Sequence, residues 1–301
     1  MPSTRTVLST YLTTLLSTPI TPPSLVVSSG CNAVLESLFA CICNPDDTVL
    51  VPAPYYATFQ FDLGVRAGVG VIGGGQIGKG GIERGEYYPT KEYLESEWNK
   101  ASVKPKALLF SNPHNPLGFV IPEDVVRGMV EWADEKNIHV VSDEIYAGST
   151  FGGAEHVSLA KVSKDIYGEI KDSHHVVYAL SKDFAISGMR VGVGVLGKSV
   201  REGVEKMNDM CQVSSETQIT VEGLLGDEVW VEGFRKEQRE RVGGRYRRVK
   251  EAWEAAGVGI MEADAGMFCW VDMRGLIGGG GEEELNKRLL EHGIMMTPGR
   301  R

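Results

Sequence analysis

The residues that most suggest chemistry are Lys182 and Arg190. They lie in the run Tyr178-Ala179-Leu180-Ser181-Lys182-Asp183-Phe184-Ala185-Ile186-Ser187-Gly188-Met189-Arg190-Val191-Gly192. The preceding His174-His175-Val176-Val177 reads as a short buried strand, which puts Lys182 just past a strand end, where functional loops gather. A lysine amine attacks carbonyls only in its neutral form, which a partly buried pocket and a neighbouring cation favour. Arg190 can supply that cation and can also grip a phosphate. Most Ser-Lys pairs are solvated surface, so the segment gains meaning from what the other strand ends carry.

Those ends carry matching features. Leu25-Val26-Val27 runs into Ser28-Ser29-Gly30, and Gly30-Cys31-Asn32-Ala33 opens a helix with Val34, Leu35, Leu38, Phe39 and Ile42 on its apolar side. A strand, a glycine turn and a helix N-terminus leave free backbone N–H groups that can hold a phosphate, although the geometry is generic. Val49-Leu50-Val51-Pro52 leads to Pro54-Tyr55-Tyr56, where an aromatic face serves either ring stacking or packing. Lys106-Ala107-Leu108-Leu109-Phe110 ends in Ser111-Asn112-Pro113-His114-Asn115-Pro116-Leu117-Gly118, whose Asn-Pro steps make a stiff, non-helical loop. Ile138-His139-Val140-Val141-Ser142 then delivers Asp143, with Tyr146 just beyond.

The patterns S-K-D-x-x-x-x-G-x-R-V-G, V-P-x-P-Y-Y, N-P-x-N-P-x-G and D-E-x-Y resemble class I/II pyridoxal-phosphate-dependent aminotransferases, in the wording of the branch containing 1-aminocyclopropane-1-carboxylate synthase. The resemblance implies pyridoxal 5'-phosphate as cofactor, with Lys182 in Schiff-base linkage and Arg190, Ser181 and the turn at Cys31 and Asn32 around its phosphate. It implies that Tyr56 stacks on the ring with Tyr55 beside it, and that Asn115 and Tyr146 bond the phenolic oxygen. Asp143 would pair with the pyridine nitrogen, since a protonated ring is an electron sink; a structural partner for a buried Asp is the alternative. Lys182, Asp143 and Tyr146 are the catalytic set so implied. Two departures stand out. Cys31-Asn32 occupies the place of a small residue followed by Thr or Ser, and Ala179 replaces a serine that is a phosphate ligand in the family.

Composition fits a globular chain. The 301 residues are 42% hydrophobic and 24% charged, with a net charge of -9 that argues against a nucleic-acid face. No apolar run approaches the ~20 residues of a membrane helix. The five cysteines show no Cys-x-x-Cys pair and no zinc-ligand spacing, so they read as reduced thiols of a cytoplasmic protein, with no metal site. The opening stretch lacks Asp and Glu as a transit peptide does, but Arg5 is its sole basic side chain, and Val7, Leu8, Tyr11, Leu12, Leu15 and Leu16 mark one helix face. Gly68 to Gly73 and Gly192 to Gly197 both spell G-x-G-x-x-G, yet their valines read as strand interior rather than as a turn opening a helix. Gly73 through Lys79 nearly spells a P-loop, but Gly80 stands where a Ser or Thr is needed.

Strands near residues 25, 49, 107, 138, 175 and 191, separated in several places by helices, predict an α/β fold with a mostly parallel sheet. Residues 1–205 form a large cofactor-binding domain, and residues 206–301 form interdomain helices and part of a smaller α+β domain. In that second region, residues 202–225 read as one helix. A long charged helix follows over 230–256, with Phe234, Val242, Tyr246, Val249 and Trp253 inward, and residues 266–274 read as a strand. Against the family's usual length the chain reads as truncated at both ends. The N-terminal arm is missing, and the arginine that clamps a substrate carboxylate lies beyond Thr297-Pro298-Gly299, with Arg300 and Arg301 outside its motif. The expected activity is transamination of an amino acid by a homodimer. The same parts serve a lyase, either a 1-aminocyclopropane-1-carboxylate synthase or a carbon–sulfur lyase. A further reading is a weakly active or inactive cofactor-binding homologue.

Overall fold

A computed structural model describes residues 1–73 and 81–297. The near-P-loop therefore lies, from residue 74 on, outside the described residues, as do Pro298, Gly299 and the two terminal arginines.

The chain alternates helices and strands: α1 (Pro2–Leu15), β1 (Leu25–Ser28), α2 (Cys31–Ile42), β2 (Thr48–Val51), α3 (Phe59–Gly64), β3 (Gly70–Gly73), α4 (Lys91–Lys100), β4 (Ala107–Ser111), α5 (Glu123–Glu135), β5 (His139–Asp143), α6 (Leu159–Tyr167), β6 (His174–Ala179), α7 (Leu180–Asp183), β7 (Gly192–Val195) and α8 (Lys198–Met207). A seven-stranded sheet takes the order β1-β7-β6-β5-β4-β2-β3. Only β7 runs against its neighbours, pairing Ser28 with Gly192 and Ala179 with Gly192 on its two sides. Both G-x-G-x-x-G stretches form strands, β3 and β7, which disposes of the dinucleotide fingerprint.

Strand alternation builds two cores. Leu108, Phe110, Val140, Val176 and Tyr178 face one side, where they pack with α1, α5 and α6. Ala107, Leu109, Val141, Val177 and Ala179 face the other, against Val34, Leu38 and Phe39 of α2. Burial on both faces explains why these strands read as continuous apolar runs. Parallel strands with helices on both faces leave their carboxyl ends as the open edge, and β2, β4, β5 and β6 end together there.

The second region departs from the sequence reading in three places. Residues 202–225 are not one helix: α8 stops at Met207 and α9 (Ser215–Gly226) restarts where the Ser214 side chain accepts from Thr217 N. The intervening stretch is tied to β1, because Ser29 N and Ser28 Oγ both donate to Cys211 O, at 2.8 and 3.2 Å. In α10 (Glu228–Ala255), Tyr246 is buried but Val249 is 40% exposed, so Val249 belongs to the solvated face. Residues 266–274 contribute only β9 (Val271–Asp272), because its partner β8 (Gly259–Ile260) is itself two residues long. A last helix, α11 (Gly281–Glu291), follows.

At the amino ends of the central strands, His139 Nδ1 and His175 Nε2 lie 3.0 Å apart, and Gly197 N donates to His175 Nδ1 at 3.2 Å. Burial, then the two neighbouring histidines, push His175 down to about 3. A histidine held neutral in this way stabilises the fold above its unfolded value of ~6.5, and that stability is lost as pH falls toward the folded value. The thermal midpoint is expected to fall between pH 7 and pH 4, and to fall less in His175→Gln; an equally steep fall in the variant would show that this pair is not responsible.

Candidate active site

The open edge of the sheet encloses a cavity of about 200 Å³ lined by Cys31, Asn32, Leu35, Tyr56, Phe59, Asp62, Asn115, Asp143, Ile145, Tyr146, Ser181, Lys182, Ser187 and Arg190. Every residue singled out from the sequence as catalytic or cofactor-binding is among them. They arrive from several strand ends: Tyr56 after β2, Asn115 after β4, Asp143 and Tyr146 at β5, and Ser181 and Lys182 after β6.

Lys182 sits in the single turn of α7, half-buried between the buried Ser181 and Asp183. The Asp183 carboxylate fixes that turn. Oδ2 accepts from Gly148 N at 2.8 Å and Tyr178 OH at 2.9 Å, while Oδ1 accepts from Ser149 Oγ at 2.6 Å. Gly148 must be a glycine, because a Cβ there would lie 2.5 Å from Asp183 Oδ2. The chain then reverses through Ala185 and Arg190, both left-handed at φ 55 and 53. That reversal returns Arg190 to the start of α2, where its Nη1 donates to Ser187 O at 3.0 Å.

The N-terminus of α2 is shaped by glycine. Gly30 is the N-cap at φ 100 and ψ 166, a conformation that is essentially glycine-only, and it brings no capping side chain. A Cβ on Gly30 would lie 2.2 Å from Arg190 Nη2, and one on Gly192 would lie 2.2 Å from the Gly30 carbonyl carbon. First-turn N–H groups without an intrahelical acceptor therefore stand beside a guanidinium that forms no ion pair among the described residues. This is an anion cradle. Asn32 contributes less than its position suggests, since its Nδ2 donates to Asp62 Oδ1 at 2.7 Å.

Asp143 is buried, and no cation pairs with it among the described residues. Ile145 N donates to its Oδ1 at 3.2 Å, and the Cys31 thiol lies 3.6 Å from the same oxygen. Burial outweighs these donors and pushes Asp143 up to about 7. The same burial, followed by the charge of Asp143, holds the Cys31 thiol well above its usual range, so it acts as a hydrogen-bond donor rather than a nucleophile. Burial first and Asp143 second also raise the Tyr146 phenol.

The two asparagines of the β4 loop divide their work. Asn112 is structural: Nδ2 donates to Val157 O at 2.7 Å and Oδ1 accepts from Ile121 N at 2.8 Å. Asn115 lines the cavity. Tyr55 is buried and accepts from Gln60 Nε2 at 2.7 Å, while Tyr56 is 37% exposed and stands edge-on to Phe59, leaving a face for the cavity.

Sequence reasoning missed several contributors. Phe59 and Asp62 lie on α3, whose packing against α2 no motif announces. Phe268 stands edge-on to Tyr146, with ring centroids 5.0 Å apart. Asp264 is the most connected of them. Its Oδ1 accepts from Val120 N at 2.9 Å, its Oδ2 pairs with Arg84 at 2.6 Å, and its backbone N donates to Gly118 O at 2.9 Å.

Sheet order, strand-end placement and this cavity are those of the α/β fold of the pyridoxal-phosphate fold type I class. A family described as "Aminotransferase class I and II" matches residues 2–301. The chain is 35% identical over 260 residues to "1-aminocyclopropane-1-carboxylate synthase 6" of Arabidopsis thaliana, covering 85% of this chain and 52% of that one. It is 33% identical over 284 residues to the protein of the same name from Oryza sativa subsp. japonica, covering 92% and 52%. A tetra mutant of aspartate aminotransferase from Thermus thermophilus superposes with a TM-score of 0.86 at 25% identity, over 99% of this chain and 78% of the other. The chain belongs to the class I and II aminotransferase family, whose members depend on pyridoxal phosphate. It spans about half the length of the curated relatives it matches.

The residues present fit that cofactor. The glycine-shaped cradle with Arg190 suits a phosphate, and the buried, cation-free Asp143 suits a ring nitrogen that carries a proton.

The close approach at Gly30 is directly testable. Gly30→Ala is expected to destabilise the fold by at least about 1–3 kcal/mol in urea unfolding, from backbone conformation alone. A midpoint unchanged from the wild type would show that the Gly30 to Arg190 contact is not maintained in solution.

Proposed function

We propose that the chain carries out pyridoxal-phosphate-dependent chemistry on amino acids, with transamination to a 2-oxo acid as the principal reading. The observation that carries it is the convergence of Lys182, Asp143, Tyr146, Asn115, Tyr56 and Arg190 on one cavity from four separate strand ends and the β7 turn. In this reading residues 1–205 hold the cofactor, and residues 206–301 supply interdomain helices and part of a smaller domain.

When bound, pyridoxal phosphate supplies an electron sink for charge developing at the α-carbon of an amino acid. Lys182 is the group that would anchor it and then, once released, hold and return the α-proton. Asp143 would keep the ring nitrogen protonated, and supplying that cation offsets the burial that raises Asp143 when it stands alone. Arg190 and the first turn of α2 would receive the phosphate, with Ser181, Cys31 and Asn32 nearby. Ala179 is the last residue of β6 and carries no hydroxyl, so in this chain the phosphate would rely on Arg190 and the α2 backbone. Asn115 and Tyr146 would share the phenolic oxygen, and Tyr56 would cover the ring face.

The relatives named as 1-aminocyclopropane-1-carboxylate synthases favour a second reading, in which the same α-proton removal is followed by loss of a γ-leaving group and ring closure. Assembly as a homodimer belongs to either reading and rests on the family resemblance. Sedimentation equilibrium tests it, and a mass near one chain at all concentrations would refute it.

With added pyridoxal phosphate the chain is expected to show a long-wavelength absorbance band and, after borohydride reduction, a pyridoxyl adduct on Lys182. Lys182→Ala should lose both. Asp143→Asn should keep the adduct and lose about 10²- to 10⁴-fold in turnover. An adduct on another lysine, or none, would overturn the assignment. With amino-acid substrates, 2-oxo acid formation supports transamination, and formation of 1-aminocyclopropane-1-carboxylate supports the second reading.

A further inference from the structure

A second and larger cavity, about 970 Å³, opens between α1, residues 150–155 and the face of α10, and shares no lining residue with the cavity at Lys182. Its charges are sorted by depth. Glu155, Glu228, Glu232, Lys236, Glu240 and Arg247 are exposed, whereas Arg235 and Arg239 are half-buried. These two arginines stand one turn apart on a single face of α10, within reach of one ligand.

Neither guanidinium is matched. Arg239 spends Nε on Gly148 O at 3.0 Å. Arg235 lies over the Tyr11 ring, 5.7 Å from its centroid, and its buried Nε has no hydrogen-bond partner. Neither enters an ion pair among the described residues. Asp183, the buried carboxylate whose charge reaches both, has its oxygens occupied by Ser149, Gly148 and Tyr178. Burial, and then the charge of Arg235, hold Arg239 below the usual arginine range, so the pair is stored at a cost that an anion would relieve.

We propose that this cavity binds a small organic anion whose carboxylate or phosphate lies between Arg235 and Arg239. Planar guanidinia present fixed forks of donors suited to those groups, and they bind them more strongly when half-desolvated. The hydroxyls of Thr10, Thr14 and Thr150 supply further polar contacts for the rest of the ligand. The volume lies in the range of small-molecule sites.

Because the Arg190 cradle also attracts anions, the test uses the Arg190→Gln variant, followed by titration calorimetry at low ionic strength with succinate and separately with inorganic phosphate. Saturable uptake of at least one probe is expected. Adding Arg235→Gln or Arg239→Gln should weaken it at least tenfold, and Lys236→Gln less than twofold. Arg235→Lys, which keeps the charge and loses the fork, should fall between, and it decides the matter if the glutamine variants do not fold. Preference for succinate or for phosphate separates a carboxylate from a phosphate ligand. No saturable uptake by the Arg190→Gln protein overturns the proposal. So does equal weakening by Lys236→Gln, which would mark diffuse charge attraction rather than a site. Both results are independent of whether Lys182 takes up pyridoxal phosphate.

Discussion

The approach of two backbones at Gly30 and Gly192 is the constraint on which the rest of the site depends. Neither position can carry a side chain, since a Cβ at either would overlap an atom 2.2 Å away. The contact sets β7, the strand of the seven-stranded sheet that runs against its neighbours, between β1 and β6, and so decides where the chain that left β6 through Lys182 comes back. It also aims the first turn of α2 at the cavity and leaves a gap that the Arg190 side chain fills. Cradle and lysine turn are thus two ends of a single reversal, and neither can be displaced without the other.

Around that frame the site is electrostatically uneven. A chain of net charge -9 lines one cavity with both Lys182 and Arg190 and with Asp62 and the buried Asp143. Asp143 is destabilised by its surroundings rather than rewarded by them, because among the described residues only one backbone N–H and a weak thiol donor serve its carboxylate. A buried polar group held this way is expensive in a core meant only for stability, and makes sense where a charged partner arrives from outside.

Much of this was legible in the sequence, for identifiable reasons. Strands buried on both faces are written as unbroken apolar runs, so the sheet and the residues at its carboxyl end could be placed together. The two glycine fingerprints could be set aside because their valines demanded a strand. Other features were not legible because they depend on distant contacts. The loop pattern points to Asn115, which lines the cavity, but nothing local shows that Asn112 braces the loop through Val157 and Ile121. The break between α8 and α9 is fixed by serines at the end of β1, with Ser28 and Cys211 separated by 183 positions. Val249 follows the spacing of an inward residue, yet its side of α10 leaves it 40% exposed. Cys31 is expected at the phosphate turn, and nothing in the sequence shows that its thiol is directed at Asp143.

The clamp made by Asp264 has a consequence for the order in which the cavity can be completed. Val120 and Asp264 are 144 positions apart, and the same short segment also receives Phe151 N at Asp264 O and donates from Gly266 N to Ser149 O. The loops that follow β4 and β5 therefore borrow their rigidity from a part of the chain made much later. During synthesis the sheet can pair first, but the core that holds Met261, and the loops that carry Asn115 and Tyr146, gain these contacts only when the residues after α10 arrive. Competence to grip a ligand is in that sense a late event in the life of this chain, timed by its second region.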